Sequence, residues 1–82
     1  MKRWGVALFH TTSCVMQAEK AFLKAGLKIK LIPTPRQFSS DCGIAVRFEW
    51  VDLNKVEEIL DFSGIEFDTI HSIDQRDNIR ET

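Results

Sequence analysis

One of the two cysteines in this 82-residue chain stands where the chemistry of a thiol is easiest to use. Cys42 follows a polar turn and directly precedes Gly43 and an apolar run, within the stretch PTPRQFSSDCGIAVRF of residues 33–48. A free cysteine that only packs behaves as a small apolar residue and is expected inside an apolar run. The position of Cys42 instead indicates an accessible thiol that takes part in chemistry.

The length of the chain predicts one small domain, and we assign residues 1–73 to it and residues 74–82 to a polar C-terminal tail. A chain this short has no room for a deep pocket beside its core. The function is therefore expected on an edge, a loop or the open face of a sheet. No stretch approaches the roughly 20 apolar residues of a membrane helix, and the apolar N-terminal run is too short for a signal peptide. We expect a cytoplasmic protein with both thiols reduced and no membrane contact.

The charges of the chain are divided unevenly between its two halves. Residues 1–36 carry seven basic residues and one acidic residue, a sum of +6, and residues 37–82 carry four basic and eleven acidic residues, a sum of −7. We expect the two halves to pack with their charges facing each other; the alternative is a dipolar surface that orients a partner. Binding to nucleic acid is not expected, because the basic residues are few and lack interleaved aromatic residues.

The spacing of apolar residues predicts the element order β-α-β-β-α-β. Strands are expected at residues 4–9, 27–32, 43–50 and 65–73, with Ile65 and Phe67 pointing inward, and helices at residues 14–26 and 53–62. Gly26 and Gly64 are expected to end the helices, and Asp52 to cap the second one. This order is typical of the ferredoxin-like α+β fold, a two-layer sandwich with an antiparallel sheet. Its open sheet face could support a homodimer.

The predicted topology brings two distant segments to one edge of the sheet. A crossover helix makes the first two strands parallel, so their carboxyl ends meet there. The start of the first helix, with Thr12, Ser13 and Cys14, should then lie beside the loop that contains Arg36, Ser39, Ser40, Asp41 and Cys42. A helix N-terminus stabilises a thiolate or another small anion. Arg36 would add to this effect, Asp41 would oppose it, and Gly43 would allow a close approach or a positive φ.

The loop also carries a sequence resemblance. It reads proline–x–proline–arginine, then serine–x–cysteine–glycine, then an apolar strand with an arginine, and the first helix contains Ala18-Glu19-Lys20. In these features most of the chain resembles the family of selenium/sulfur carrier-like proteins. The resemblance implies that Cys42 is the central cysteine and that Pro33, Pro35, Arg36, Ser40 and Gly43 form its loop. It also implies a partner enzyme that loads or unloads the carrier, such as a cysteine desulfurase or a selenium-using synthetase.

Three functions remain open at this point. In the first, Cys42 carries sulfur or selenium as a persulfide or selenosulfide, stabilised by the first helix, by Ser39 and Ser40 and by Arg36. This chemistry needs no metal and no cofactor, so we expect a carrier or binding protein rather than a turnover enzyme. In the second, Cys14 and Cys42 form a reversible disulfide, which requires Cα atoms within about 7 Å.

In the third, the domain is a regulatory or adaptor module that binds an anion or a protein, and Cys42 is incidental. A zinc site of His10, Cys14 and Cys42 is disfavoured, because their spacing matches no common zinc pattern and a fourth ligand is missing. A hydrolase arrangement of Cys42, His10 and Asp41 is disfavoured as well, because a domain of this size is not expected to form a substrate cleft.

Overall fold

The computed structural model describes residues 3–38 and 42–74. The predicted order β-α-β-β-α-β is confirmed, with a short 3₁₀ helix before the second α-helix. The elements are β1 (Arg3–Leu8), α1 (Thr12–Lys24), β2 (Ile29–Pro33), β3 (Ile44–Glu49), the 3₁₀ helix (Trp50–Asp52), α2 (Leu53–Ser63) and β4 (Thr69–Asp74).

The strands form one four-stranded sheet in the order β2-β3-β1-β4. Every neighbouring pair is antiparallel. Because β1 and β2 both run antiparallel to β3, they run parallel to each other and end at the same edge. This is the ferredoxin-like arrangement that the sequence predicted.

Alternation along the strands divides the buried residues between the two faces of the sheet. The cluster on the helix side consists of Ala7, Phe9, Val15, Ala18, Phe22, Leu27, Cys42, Val46, Phe48, Val56, Leu60 and Ile65. The second cluster, on the other face, consists of Val6, Leu8, Ala45 and Ile73, with Ile32 and Phe38 packed against it. The face without helices is therefore partly covered by Phe38, which comes from the loop between β2 and β3.

Both α-helices end in the same hydrogen-bonded motif. At the end of α1, Leu27 N donates to Phe22 O (3.0 Å) and Gly26 N to Leu23 O (3.0 Å). At the end of α2, Ile65 N donates to Leu60 O (3.0 Å) and Gly64 N to Asp61 O (3.2 Å). This pair of bonds defines the Schellman motif, which needs a left-handed residue. The predicted glycines supply it, with φ of 84° at Gly26 and 67° at Gly64.

These motifs correct the predicted starts of two strands. Leu27 and Ile65 were assigned to strands, but each makes the apolar contact that closes a Schellman motif and is buried in the helix-side cluster. As a result β2 begins at Ile29 and β4 at Thr69. The predicted inward position of Phe67 is wrong: it precedes β4 and is 38% exposed.

The start of α2 also differs from the sequence-based expectation. Asp52 occupies the N-cap position, but its side chain makes no capping hydrogen bond. Its φ and ψ are −93° and 9°, because the 3₁₀ helix runs directly into α2. A capping side chain normally requires extended backbone at this position, which the 3₁₀ helix does not provide.

The two α-helices lie side by side on the sheet. A cleft between them is lined by Lys24 of α1 and by Glu58 and Asp61 of α2. The balance of charge between the two halves of the chain stays a prediction.

Candidate functional site

The end of β1 and the end of β2 meet at one edge of the sheet, as the topology predicted. Thr12 begins α1 just after β1, and Cys42 precedes β3. The Thr12 hydroxyl oxygen and the Cys42 sulfur are 4.0 Å apart, although 30 positions separate the residues in the chain. We call this region, formed by residues 11–14 together with residues 33–38 and 42–43, the Cys42 rim.

Thr34 fixes the backbone of the Cys42 rim. Its hydroxyl donates a hydrogen bond to Cys42 O (2.8 Å), and its N–H donates to Gly43 O (3.0 Å). Thr34 thus extends the pairing of β2 and β3 by one step and holds both residues of the Cys-Gly pair. This role of Thr34 was not predicted from the sequence. The available signal was a β-branched hydroxyl residue between two prolines, where backbone donors are scarce.

Cys42 is buried, so the prediction of an accessible thiol is wrong for this conformation. Its side chain is 4% exposed and belongs to the helix-side cluster with Phe9, Val15 and Val46. The polar residues before Cys42 suggested exposure, but they do not set the direction of its own side chain. That direction is set by the strand that follows and by the first turn of α1, which together cover the thiol.

The first turn of α1 is capped by Thr11. The Thr11 side chain accepts a hydrogen bond from Cys14 N (3.2 Å), and its backbone is extended, with φ of −136° and ψ of 155°. Both features are those of a standard N-cap. Cys14 itself is half-buried and packs against the helix-side cluster that contains Cys42. Both cysteines are free thiols.

Gly43 does not play the predicted backbone role. It has no positive φ, and an added Cβ atom would meet nothing within 4 Å. Neither a left-handed turn nor a close approach therefore requires glycine there. Arg36 and Ser13 are exposed on the Cys42 rim. Ser39, Ser40 and Asp41 lie outside the described residues, as does the predicted tail from residue 75 onward.

Phe38 attaches the loop to the far side of the sheet. Its ring stacks on His71 of β4, with ring centroids 4.2 Å apart and an interplanar angle of 14°. Thr69 Oγ1 lies 2.8 Å from His71 Nε2, which fixes the imidazole from its other edge. His71 therefore supports the loop between β2 and β3. In the sequence, an aromatic residue within an otherwise polar loop was the feature that could have predicted this packing of Phe38.

The described residues offer neither a candidate metal centre nor a membrane-spanning helix. Residues 3–38 and 42–74 contain no group of three or more His, Cys, Asp or Glu side chains that could hold a metal ion. In the same part of the chain, neither helix has the length and apolar character needed to cross a membrane.

Comparison with known proteins gives one family. Residues 5–72 match the sequence model of the family described as "Putative Se/S carrier protein-like". No curated protein and no solved structure matches the chain. The matched range includes most of β1, all of α1, the Cys42 rim and most of β4.

Proposed function

Since the chain belongs to the family of selenium/sulfur carrier-like proteins, we propose that Cys42 carries a sulfur or selenium atom as a persulfide or selenosulfide. The family match over residues 5–72 is the observation that carries the proposal. Cys42 lies beside the start of α1, and this position supports the assignment of the carrier role to this cysteine. The proposed partners are a donor enzyme and an acceptor enzyme for the carried atom.

The loading step is an exchange between sulfur atoms. The Cys42 thiolate attacks the terminal sulfur of a persulfide on the donor. A new S–S bond forms at Cys42, the S–S bond of the donor breaks, and the donor leaves as a thiolate that takes up the proton lost from Cys42. The transferred sulfur keeps its oxidation state, so no oxidant or reductant is consumed. Selenium is transferred by the same exchange reaction when the donor carries a selenosulfide.

The start of α1 offers groups that would stabilise the terminal sulfur or selenium anion. The Thr12 hydroxyl oxygen lies 4.0 Å from the Cys42 sulfur. The Cys14 N–H is already used by the Thr11 cap. The first-turn N–H groups of Thr12 and Ser13 point away from the helix body and would serve as further donors. Arg36, Ser39 and Ser40 keep their predicted role as additional donors in this proposal.

Burial of Cys42 adds a requirement to the mechanism. At 4% exposure the sulfur cannot meet the reactive atom of a donor enzyme in this conformation. Loading therefore requires the Cys42 rim to open locally, with loss of the Thr34 hydrogen bonds to Cys42 and Gly43. Such a protected thiol would shield the carried atom from solvent between loading and delivery.

The test is the intact mass of the protein after incubation with inorganic polysulfide. We expect wild type and Cys14→Ser to gain one sulfur atom, and Cys42→Ser to gain none. Cys42→Ala is the second variant, because it keeps an apolar side chain in the cluster and tests loading if the serine variant fails to fold. Retention of the added sulfur by Cys42→Ala, or no added sulfur in wild type, would contradict the proposal.

The thiol pair is the alternative that the structure favours next, because Cys14 packs against the cluster that contains Cys42. In that function, oxidation of wild type with diamide produces an intramolecular disulfide, seen as a mass lower by two hydrogens. Both single cysteine variants would abolish it. A disulfide without polysulfide loading would favour the redox switch, and neither product would favour the adaptor function.

A further inference from the structure

Two like charges stand directly opposite each other on the face of the sheet away from the helices. Lys30 of β2 pairs with Arg47 of β3 in the antiparallel register. Their strand neighbours Ile32 and Ala45 belong to the second cluster, which places both cations on that face. Like charges at directly opposed positions destabilise a sheet. An anion bound between them would relieve this repulsion.

Arg47 is held in place by an aromatic ring. Its guanidinium carbon lies 4.2 Å from the centroid of the Trp4 ring, a cation–π contact. Within residues 3–38 and 42–74, the buried Arg47 Nε has no hydrogen-bond partner. A guanidinium fixed over a ring presents its N–H groups in a defined plane, which suits two oxygens of one anion.

These cations line a shallow depression of about 160 Å³, which we call the Lys30–Arg47 depression. Its lining residues are Trp4, Lys28, Ile29, Lys30, Arg47 and Glu49. Three cationic side chains and one carboxylate give it a formal charge of +2. A water molecule has a share of about 30 Å³ in the liquid, so the depression has room for a small polyatomic ion.

The depression is separate from the Cys42 rim. It lies at the start of β2 and on the sheet face without helices, whereas Cys42 lies beyond the end of β2 and in the helix-side cluster. A ligand there would not touch the thiol, so the two sites can be tested independently.

We propose that the Lys30–Arg47 depression binds a tetrahedral oxyanion of the phosphate class, as the free ion or as a phosphate monoester. Arg47 contributes a planar pair of donors, and Lys28 and Lys30 contribute mobile ammonium groups at either side. A dianion placed between them offsets the formal charge of +2 and removes the repulsion across the β2–β3 pair. The Trp4 ring forms an apolar surface beside Arg47 in the depression.

Calorimetric titration of the full chain with inorganic phosphate, at ionic strength held constant with chloride, tests the proposal. We expect saturable binding of one phosphate. Loss of one charge-assisted hydrogen bond should weaken binding about tenfold to hundredfold in Lys30→Gln and in Arg47→Gln. Lys24→Gln removes the same charge from the far side of the domain and should change the dissociation constant by less than about twofold. Cys42→Ala should bind phosphate as the wild type does.

The melting temperature gives a second measurement that separates binding from a structural role of Lys30. In chloride alone, Lys30→Gln relieves the repulsion with Arg47 and should melt at or above the wild-type temperature. At one phosphate concentration, the melting temperature of wild type should rise more than that of Lys30→Gln, because stabilisation by a ligand falls as its dissociation constant rises. Titration with phenyl phosphate distinguishes the two forms of the ligand. Tighter binding of phenyl phosphate than of inorganic phosphate indicates a phosphate monoester, and equal binding indicates the free ion.

Two results would overturn the proposal. One is the absence of saturable phosphate binding to wild type. The other is an equal loss of affinity in Lys24→Gln and Lys30→Gln, which would show general attraction to basic side chains rather than a site. If Arg47→Gln does not fold, the comparison of Lys30→Gln with Lys24→Gln decides alone, since both lysines are exposed.

Discussion

Replacement of Gly5 by alanine should strongly destabilise this domain. Gly5 lies in β1 and pairs with Phe48 of β3. A Cβ atom at Gly5 would lie 2.3 Å, 2.6 Å and 2.9 Å from three carbons of the Phe48 ring. These distances are far below ordinary van der Waals contact, so either the ring or the backbone of β1 has to move.

The Phe48 ring has little room to move. Its side chain is 0% exposed and lies in the helix-side cluster, where it also stacks on Trp50. Overpacking of a well-filled core costs about 1–3 kcal/mol of unfolding free energy. The backbone preference of alanine over glycine in a strand returns only about 0.5–1 kcal/mol. Because the contact of 2.3 Å places this change at the upper end of the overpacking cost, we expect a net loss of about 2 kcal/mol, and a melting temperature lower by roughly 4–8 °C for each kcal/mol.

Urea unfolding followed by circular dichroism measures this loss. Gly43→Ala is the matched control, because an added Cβ atom there meets nothing within 4 Å. Its unfolding free energy should stay within about 0.5 kcal/mol of wild type. Adding Phe48→Leu to Gly5→Ala should cost less than the sum of the two single changes, because the smaller side chain leaves space for the Cβ atom. Equal stability of Gly5→Ala and wild type would refute the packing argument.

Two further predictions concern the segments that form the Cys42 rim. Thr11→Ala removes the N-cap of α1 and should lower the unfolding free energy by about 0.5–2 kcal/mol. Ser13→Ala, in the same turn, should change the unfolding free energy by less than about 0.5 kcal/mol. Urea unfolding compares the two variants, and equal losses would contradict the cap assignment. Phe38→Ala removes a half-buried ring that packs on the second cluster and should cost about 1–2 kcal/mol. The 93% exposed Phe62 is its control, because Phe62→Ala should be nearly neutral in the same assay.

The burial of Cys42 limits the access of a donor to its sulfur atom. The thiol lies within the core, and its sulfur is 4.0 Å from the Thr12 hydroxyl oxygen at the start of α1. In the proposed carrier function, loading of Cys42 would rely on local opening rather than on permanent exposure. The hydrogen bonds from Thr34 and the stacking of Phe38 on His71 are the described contacts that resist such opening.

The sequence was sufficient for the element order, the fold and the family. Apolar residues repeat with the period of a strand or of a helix, and these periods depend only on local backbone geometry. The glycines that end α1 and α2 were predictable for the same reason, since a left-handed residue is a local requirement. Once the order was known, the meeting of Thr12 and Cys42 followed from the parallel direction of β1 and β2, which a crossover helix requires.

The tertiary structure alone decided which side chains are covered. Cys42 and Phe67 were predicted with the wrong exposure, because burial depends on segments far away in the chain. Gly5 gave no signal in the sequence, since its requirement arises only where the Phe48 ring crosses β1. The opposition of Lys30 and Arg47 likewise depends on the register of β2 against β3. Local periodicity fixes the elements, but the register and packing between them set each contact.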